Sequence, residues 1–118
     1  MLSVPEELNI YVSLEPVDMR KAVNGLSAYV LDHFDGSPQS GNLYVFWNRS
    51  RNTVKILYWD KNGFVLHYKR LDRLRFKFSK LPDGDTLEIN AEQIQWLFAG
   101  LDFQLMNQFS ELNYDHYY

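Results

Sequence analysis

Apolar residues between positions 19 and 34 recur at intervals of three and four. This spacing predicts an amphipathic helix with one side packed against a core. Asp18 precedes the helix and is expected to cap it, and residues 35–38 (DGSP) are expected to end it. The predicted apolar stripe consists of Met19, Ala22, Val23, Leu26, Tyr29, Val30 and Phe34.

Short runs of β-branched and aromatic residues, one before this helix and the others after it, predict a series of strands. Asn62-Gly63 separates two of these runs and is a strong signal for a β-hairpin, because both turn positions favour a positive φ. We expect strands at residues 10–12, 42–47, 53–59, 64–68, 73–78 and 86–89.

Asn90 is expected to begin a second, shorter helix, with Gln93 in the reciprocal capping-box position. Ile94 and Leu97 belong to its apolar stripe. The pattern as a whole predicts an α+β fold, in which an antiparallel β-meander is packed on one face by one long and one short helix. We assign residues 1–103 to a single domain and residues 104–118 to an aromatic, partly ordered C-terminal tail.

The composition fits one folded domain. The chain has 118 residues, of which 46% are hydrophobic and 16% aromatic, which is enough to fill a core. No run approaches the roughly 18 apolar residues of a membrane span, and the start lacks the pattern of a secretory signal. We therefore expect a cytoplasmic protein without a membrane partner. The absence of cysteine excludes disulfides and thiolate chemistry.

The net charge of −3 conceals a strong segregation of charge along the chain. Residues 49–80 contain ten of the twelve Lys and Arg residues and only two carboxylates, Asp60 and Asp72, so this segment has a charge of +8. The remaining residues sum to −11. The local charge of this segment, rather than the total charge of the chain, therefore determines which partners it attracts.

Basic and apolar residues alternate at positions 73–78. In a strand, Arg73, Arg75 and Lys77 would project from one side at intervals of about 6.6 Å, which is close to the spacing of phosphates along a nucleic-acid strand. A solvated outer sheet face is the alternative, although such faces usually mix both signs of charge. Further candidate nucleic-acid-binding residues are Lys69, Arg70, Arg20, Lys21, Arg49, Arg51 and Lys55.

Arg20 and Lys21 are expected in the first turn of the first helix. The helix macrodipole disfavours cations there, unless a bound anion such as a phosphate occupies the free N–H groups. In the alternative interpretation, Asp18 already occupies those N–H groups and Glu15 pairs with Arg20.

The aromatic residues permit two interpretations. They could stack on unpaired bases, or they could fill the core of a small sheet. Trp47 and Trp59 lie next to polar turns and are the best candidates for exposure. The full set is Tyr44, Phe46, Trp47, Tyr58, Trp59, Phe64, Tyr68, Phe76 and Phe78.

Signals for enzyme chemistry are weak. The three histidines have no ligand-like spacing, and no Gly-rich phosphate loop is present. Asp18, Asp60 and Glu92 could form a carboxylate cluster for divalent metals in a nuclease, but any chain this acidic offers such triples. We therefore expect no catalytic residue, no metal and no cofactor.

Several motifs together resemble a known family. They are VDMRKAVNGL (17–26), SGNLYVF (40–46), VKILYWDKNGF (54–64), YKRLDRLRFKF (68–78) and LFAGLDF (97–103). In this order they resemble the TnpB (Orf2-like) accessory proteins of the bacterial insertion sequence sixty-six family. The matching positions are Asp18, Met19, Arg20, Lys21, Asn24, Gly25, Lys55, Trp59, Asp60, Gly63, Tyr68, Lys69, Arg70 and Arg75.

The resemblance implies a role in a transposition operon, in which a separate, larger protein is the DDE-type transposase. It assigns no catalytic role to any residue. Two hypotheses follow. The protein is a non-enzymatic accessory factor that contacts DNA phosphates through a basic sheet face, or it docks onto the transposase of the same element without binding DNA.

Overall fold

The computed structural model describes residues 8–78 and 86–102, which form a mixed five-stranded sheet and two helices. The strands lie in the order β4-β3-β2-β1-β5. The α+β class, with one longer and one shorter helix, is confirmed. The predicted tail at 104–118 lies outside the described residues. The elements are β1 (Ile10–Ser13), α1 (Val23–His33), β2 (Leu43–Trp47), β3 (Thr53–Asp60), β4 (Gly63–Arg70), β5 (Thr86–Ile89) and α2 (Ala91–Phe98).

The sheet contains the predicted meander and one parallel pair. β2, β3 and β4 are antiparallel neighbours, as their alternating patterns and short connections predict. β1, however, pairs with β2 in parallel, and β5 pairs with the other edge of β1. The parallel pair arises because α1 connects β1 to β2 as a crossover, an arrangement that hairpin signals do not predict.

The two helices cover opposite faces of the sheet, which differs from the single-face packing predicted. Leu26 and Val30 of α1 pack in one buried cluster with Tyr44 and Phe46, whereas Leu97 of α2 belongs to the other cluster. All five residues of β2 are buried. A strand that is apolar on both sides needs cover on both faces, and the two helices supply it. We call these the α1 face and the α2 face.

The helix starts illustrate a correct and an incorrect prediction. α2 begins at the predicted capping box, in which Asn90 Oδ1 accepts from the amide of Gln93 at 2.8 Å and Gln93 Oε1 accepts from the amide of Asn90 at 2.9 Å. α1 begins only at Val23, after Ala22, which forms no side-chain cap. Asp18 does not cap this helix, because its carboxylate accepts from the backbone and side chain of Arg20.

The predicted β3–β4 hairpin is confirmed, but its turn is one residue earlier than expected. Asp60 pairs with Gly63, so Lys61 and Asn62 occupy the turn. Lys61 adopts the positive φ of 55°.

The predicted strand at 73–78 is absent, since this segment lies outside the sheet. Its alternation nevertheless reports burial correctly for the aromatic residues. Phe76 and Phe78 are buried in the α2-face cluster, whereas Leu74 is 71% exposed. The segment does not pair with β4. The amide of Leu71 instead donates to the carbonyl of Asn52 at 2.8 Å, which directs the chain over the β2–β3 turn.

Among the residues that the structure describes, no helix is both long and apolar enough to cross a membrane.

Candidate nucleic-acid interface

The turn between β2 and β3 is organised by the side chain of Asn48. Its Oδ1 atom accepts from the amides of Asn52 and Thr53, both at 3.1 Å, and its Nδ2 atom donates to Asn52 Oδ1 at 2.6 Å. Arg51 has a φ of 60°, in the left-handed region that non-glycine residues seldom adopt. Arg49 and Arg51 are both exposed. They lie on a turn whose backbone is fixed by these hydrogen bonds.

The segment after β4 is attached to this turn. The amide of Phe76 donates to the carbonyl of Arg51 at 2.6 Å. The ring of Phe78 stacks on Trp47, with 4.7 Å between the ring centroids. The two buried aromatic residues anchor the segment from one side. Arg75, which directly precedes Phe76, stays exposed.

Cations from the turn and from this segment meet at one cavity of about 200 Å³. Arg51 reaches it from the turn, and Arg75 and Lys77 reach it from the segment. Residues more than twenty positions apart in sequence thus form one basic surface, on which the guanidinium groups offer donors suited to phosphate oxygens. The complete lining is Arg51, Arg75, Phe76, Lys77, Phe78 and Asp102.

The other side of the turn faces the residues that lead into α1. The amide of Val17 donates to the carbonyl of Trp47 at 2.8 Å, which holds this segment against the end of β2. A second cavity, of about 410 Å³, separates the segment from the turn. Its lining consists of Pro16, Val17, Asp18, Met19, Asn48, Arg49 and Ser50.

These segments converge because β2 and β4 end, and β3 begins, at the same end of the sheet. We call this the basic end. It also contains Glu15, Asp18, Asp72 and Asp102. The exposed carboxylates Asp32, Asp35, Asp60 and Glu92 belong to elements at the opposite end. Among residues 8–78 and 86–102, cations therefore predominate at the basic end and carboxylates at the opposite end. The exposed cations that the structure describes at the basic end are Arg20, Lys21, Arg49, Arg51, Arg70, Arg73, Arg75 and Lys77.

Lys55, a candidate from the sequence, is directed into the protein. It is only 8% exposed, on the α1 face of β3. Its Nζ atom donates to the carbonyl oxygens of Met19 and Lys21, each at 2.8 Å, and lies 5.6 Å from the centroid of the Tyr68 ring. The ammonium group thus fixes the residues that precede α1.

Lys69 has a comparable internal contact on the α2 face. Its Nζ atom donates to the carbonyl oxygen of Phe98, the last residue of α2, and lies 5.1 Å from the centroid of the Phe98 ring. A cation at this position interacts favourably with the C-terminal end of the helix dipole. The structure therefore does not place Lys55 and Lys69 with the exposed cations.

Arg20 is exposed but paired. Its Nη2 atom lies 2.6 Å from Asp18 Oδ2, and its side chain is 92% exposed. Hydrogen bonds from the Arg20 side chain, followed by the one from its backbone amide, lower the pKa of Asp18 from 3.8 to about 2. The predicted Glu15–Arg20 pair is replaced by this one. Because Arg20 and Lys21 precede α1, they do not lie in its first turn.

The aromatic residues mainly form core, with one exception that sequence reasoning did not single out. Trp47, expected to be exposed, is buried, and its Nε1 atom donates to the carbonyl of Ser13 at 2.6 Å. Trp59 packs edge-on against Phe64, with 5.0 Å between centroids. Tyr68 is 57% exposed. The exposure of Tyr68 is consistent with its position on β4, which is an edge strand of the sheet.

The carboxylates of the nuclease hypothesis do not come together. Asp18 lies at the basic end, whereas Asp60 and Glu92 belong to the opposite end. Within residues 8–78 and 86–102, no group of three His, Cys, Asp or Glu residues could hold a metal ion.

Comparison with known proteins assigns the family. A family model described as "IS66 Orf2 like protein" matches residues 8–108, which is most of the chain. The chain belongs to the IS66 Orf2-like family. The resemblance noted from the motifs is thereby confirmed, and membership of this family supports an accessory role in transposition.

Two proteins of similar sequence come from Sinorhizobium fredii. "Uncharacterized protein y4jC" is 34% identical over 103 residues, which cover 87% of each chain. "Uncharacterized protein y4hO" is 31% identical over 104 residues, which cover 88% of this chain and 90% of the relative. No solved structure matches the chain.

Proposed function

We propose that this IS66 Orf2-like protein is a non-enzymatic accessory factor of transposition that contacts DNA phosphates through its basic end. One observation supports this most directly. The hydrogen bond from Phe76 to Arg51 joins the β2–β3 turn to the segment at 71–78, so that cations from both form one surface. Arg51, Arg75 and Lys77 at the shared cavity are the proposed central contacts.

The distribution of charge favours one orientation on DNA. The carboxylates at the far end of the sheet are repelled by a polyanion, while the basic end is attracted to it. Contacts of this kind position a protein on DNA without reading its sequence. We therefore propose weakly specific binding, with the transposase of the same element as the second partner in the process.

The test is the salt dependence of binding to a short duplex, measured by fluorescence anisotropy between about 50 and 200 mM salt. Each lost phosphate contact lowers the slope of log K against log salt by about one unit. The double variant Arg75→Ala/Lys77→Ala should therefore lose about two units. Lys61→Ala is the matched control, because Lys61 is an exposed cation at the opposite end.

An unchanged slope in the double variant would contradict the proposed surface. Absence of binding at low salt both to the duplex and to a single strand of the same length would contradict DNA contact altogether. In that case, co-purification with nuclease-treated transposase of the same element would establish the alternative, in which the basic end docks onto an acidic surface of that protein.

A further inference from the structure

β4 forms one edge of the sheet, and its outward side offers backbone groups to a further strand. The amide of Leu71 donates to the carbonyl of Asn52, which makes these two residues a hydrogen-bonded pair of the antiparallel ladder. Because such pairs alternate along a ladder, every second residue of β4 directs its amide and carbonyl away from β3. Within the part of the chain that the structure describes, β4 has no neighbouring strand on that side. The outward-directed residues are Phe64, Leu66, Tyr68 and Arg70.

We infer that this edge binds a second copy of the chain, and that the two β4 strands pair antiparallel about a two-fold axis at Leu66. Each copy then satisfies the outward-directed groups of the other, and the two sheets become one continuous sheet. An edge strand with free backbone groups is a template for pairing with another chain. β4 contains no proline to interrupt such pairing, and a two-fold axis makes one edge complementary to itself.

The axis at Leu66 brings apolar side chains together on the α1 face. Leu66 lies opposite Leu66 of the second copy, and Phe64 lies opposite Tyr68 of the second copy. Phe64 and Leu66 are only half-buried, and Tyr68 is 57% exposed, so all three have surface left to cover. Cross-strand pairs of aliphatic or aromatic residues stabilise antiparallel strands. The inferred dimer therefore buries apolar surface that one copy alone leaves in water.

Charge selects this register over its neighbours. With the axis at Leu66, Lys69 lies opposite Gly63 of the second copy. Moving the axis one residue towards the β3–β4 turn would place Lys69 opposite Lys61, and like charges directly opposite each other destabilise a sheet. Moving it one residue the other way would place Lys69 opposite the apolar Val65. The axis at Leu66 avoids both arrangements.

Charge also favours the antiparallel direction. β4 ends at the basic end, so antiparallel pairing places the basic end of each copy beside the opposite, carboxylate-bearing end of the other. Asp60 lies opposite Gly63 within the hairpin, and Gly63 in turn lies opposite Lys69 of the second copy. Asp60 and that lysine are thus two strands apart, about 9.6 Å, with no side chain between them. A parallel pair would instead bring the two basic ends together, where they repel.

The α2 face leaves room for the second copy at this edge. An open cleft of about 500 Å³ lies between β4 and the last turn of α2, and its lining includes Lys69, Gln95 and Phe98. A strand added to β4 extends the floor of this cleft. The residue of the second copy that lies beside Lys69 is Gly63, which has no side chain to collide with α2. Strand addition is therefore sterically open on the α2 face.

The first experiment measures the oligomeric state of the full chain by sedimentation equilibrium over a dilution series. The inference predicts a dimer that dissociates on dilution, and a monomer at every concentration overturns it. Tyr68→Pro removes an outward amide, whereas Tyr68→Ala retains it. The proline variant should have a dissociation constant about tenfold or more above that of the alanine variant, because two hydrogen bonds are lost, one in each copy. Equal dissociation constants for the two variants would contradict strand pairing.

Amide hydrogen exchange, followed by NMR, tests the pairing in the unaltered protein. The outward amides of Leu66 and Tyr68 should be protected where the protein is dimeric and should lose protection on dilution. The amide of His67 faces β3 and is the internal control, protected at every concentration. A dimer in which the outward amides exchange freely overturns the inference. Protection that persists in the monomer also overturns it, because another part of the same chain would then cover the edge.

The absence of cysteine in the chain allows the register to be tested by disulfide formation. Leu66→Cys places two thiols across the axis, with Cα atoms about 5.5 Å apart, a distance that a disulfide spans. Oxidation should therefore cross-link this variant as a dimer. Tyr68→Cys is the matched control on the same face, because its two copies lie about 14 Å apart in this register. Cross-linking of Tyr68→Cys to the same extent as Leu66→Cys would overturn the inferred pairing.

Discussion

The backbone amide of Phe76 donates a hydrogen bond of 2.6 Å to the carbonyl oxygen of Arg51. This bond joins two basic segments that are separated by the whole of β3 and β4. Arg51, which accepts this hydrogen bond, has a φ of 60°, in the left-handed region. Arg51 therefore has two roles at the basic end. Its backbone carbonyl links the two basic segments, and its side chain is one of the cations on the surface that they form.

Replacing Arg51 by glycine should separate stability from binding. A non-glycine residue in the left-handed region costs about 1 kcal/mol, which glycine avoids. Arg51→Gly should therefore leave the free energy of unfolding unchanged or raise it by up to about 1 kcal/mol. Urea denaturation measures this. The salt slope for duplex binding should fall by about one unit, because a phosphate contact is lost.

The matched control is Arg49→Gly in the same turn. Arg49 does not have a positive φ, so glycine there brings only its entropic cost of about 0.5–1 kcal/mol. Equal destabilisation by the two variants would contradict the role assigned to the left-handed conformation of Arg51.

Lys55→Met should destabilise the fold. The methionine retains the apolar stem but removes the donor to the carbonyls of Met19 and Lys21. Leaving a buried acceptor unpaired costs about 1–3 kcal/mol. Because these two hydrogen bonds are partly buried, urea denaturation should show a loss in the free energy of unfolding within this range. Lys61→Met, at an exposed position, should have little effect. A variant of Lys55 with full stability and a reduced salt slope would instead indicate a DNA contact.

Trp47→Phe tests the hydrogen bond that joins β2 to β1. The indole Nε1 donates to the carbonyl of Ser13 at 2.6 Å within the core. Phenylalanine keeps much of the apolar volume but not the donor, so the free energy of unfolding should fall by about 1–3 kcal/mol. Trp59→Phe, at a half-buried position, should cost less. Equal losses in thermal or urea unfolding would contradict a specific role for the indole N–H.

Elements governed by neighbouring residues were predictable from sequence. The capping box of Asn90 and Gln93 lies within four positions and was identified correctly. The start of α1 was not, because Asp18 bonds to Arg20 while the carbonyls of Met19 and Lys21 bond to Lys55. That lysine is more than thirty residues distant, and no local pattern indicates such a contact.

The candidate site likewise combines features that the local sequence predicts with features that depend on contacts between distant residues. Alternation at 73–78 correctly separated buried aromatic residues from exposed cations, but it reports burial and not strand pairing. In sequence, Lys69 and Arg70 are adjacent and alike. In the structure, they project from opposite faces of an edge strand, so Lys69 contacts the end of α2 whereas Arg70 is exposed. The faces assigned to them depend on the register of β4 with β3.

The Asp18–Arg20 pair predicts a specific acid titration. Hydrogen bonds from Arg20, first from its side chain and then from its amide, lower the pKa of Asp18 from 3.8 to about 2. The ionised carboxylate is thus favoured in the folded state, so any stabilisation is present above pH 4 and is lost as the pH falls towards 2. The effect on unfolding should be small, since both groups are exposed and solvent screens their interaction.

The measurement is a pH titration of the Asp18 carboxyl carbon by NMR. The wild-type protein should titrate with a midpoint near 2, and Arg20→Ala should return the midpoint towards 3.8. Arg49→Ala, which removes a cation from the same cavity, is the matched control and should change the midpoint little. An Asp18 midpoint near 3.8 in the wild-type protein would show that Arg20 is not paired in solution. Arg20 would then be available to phosphate together with Lys21.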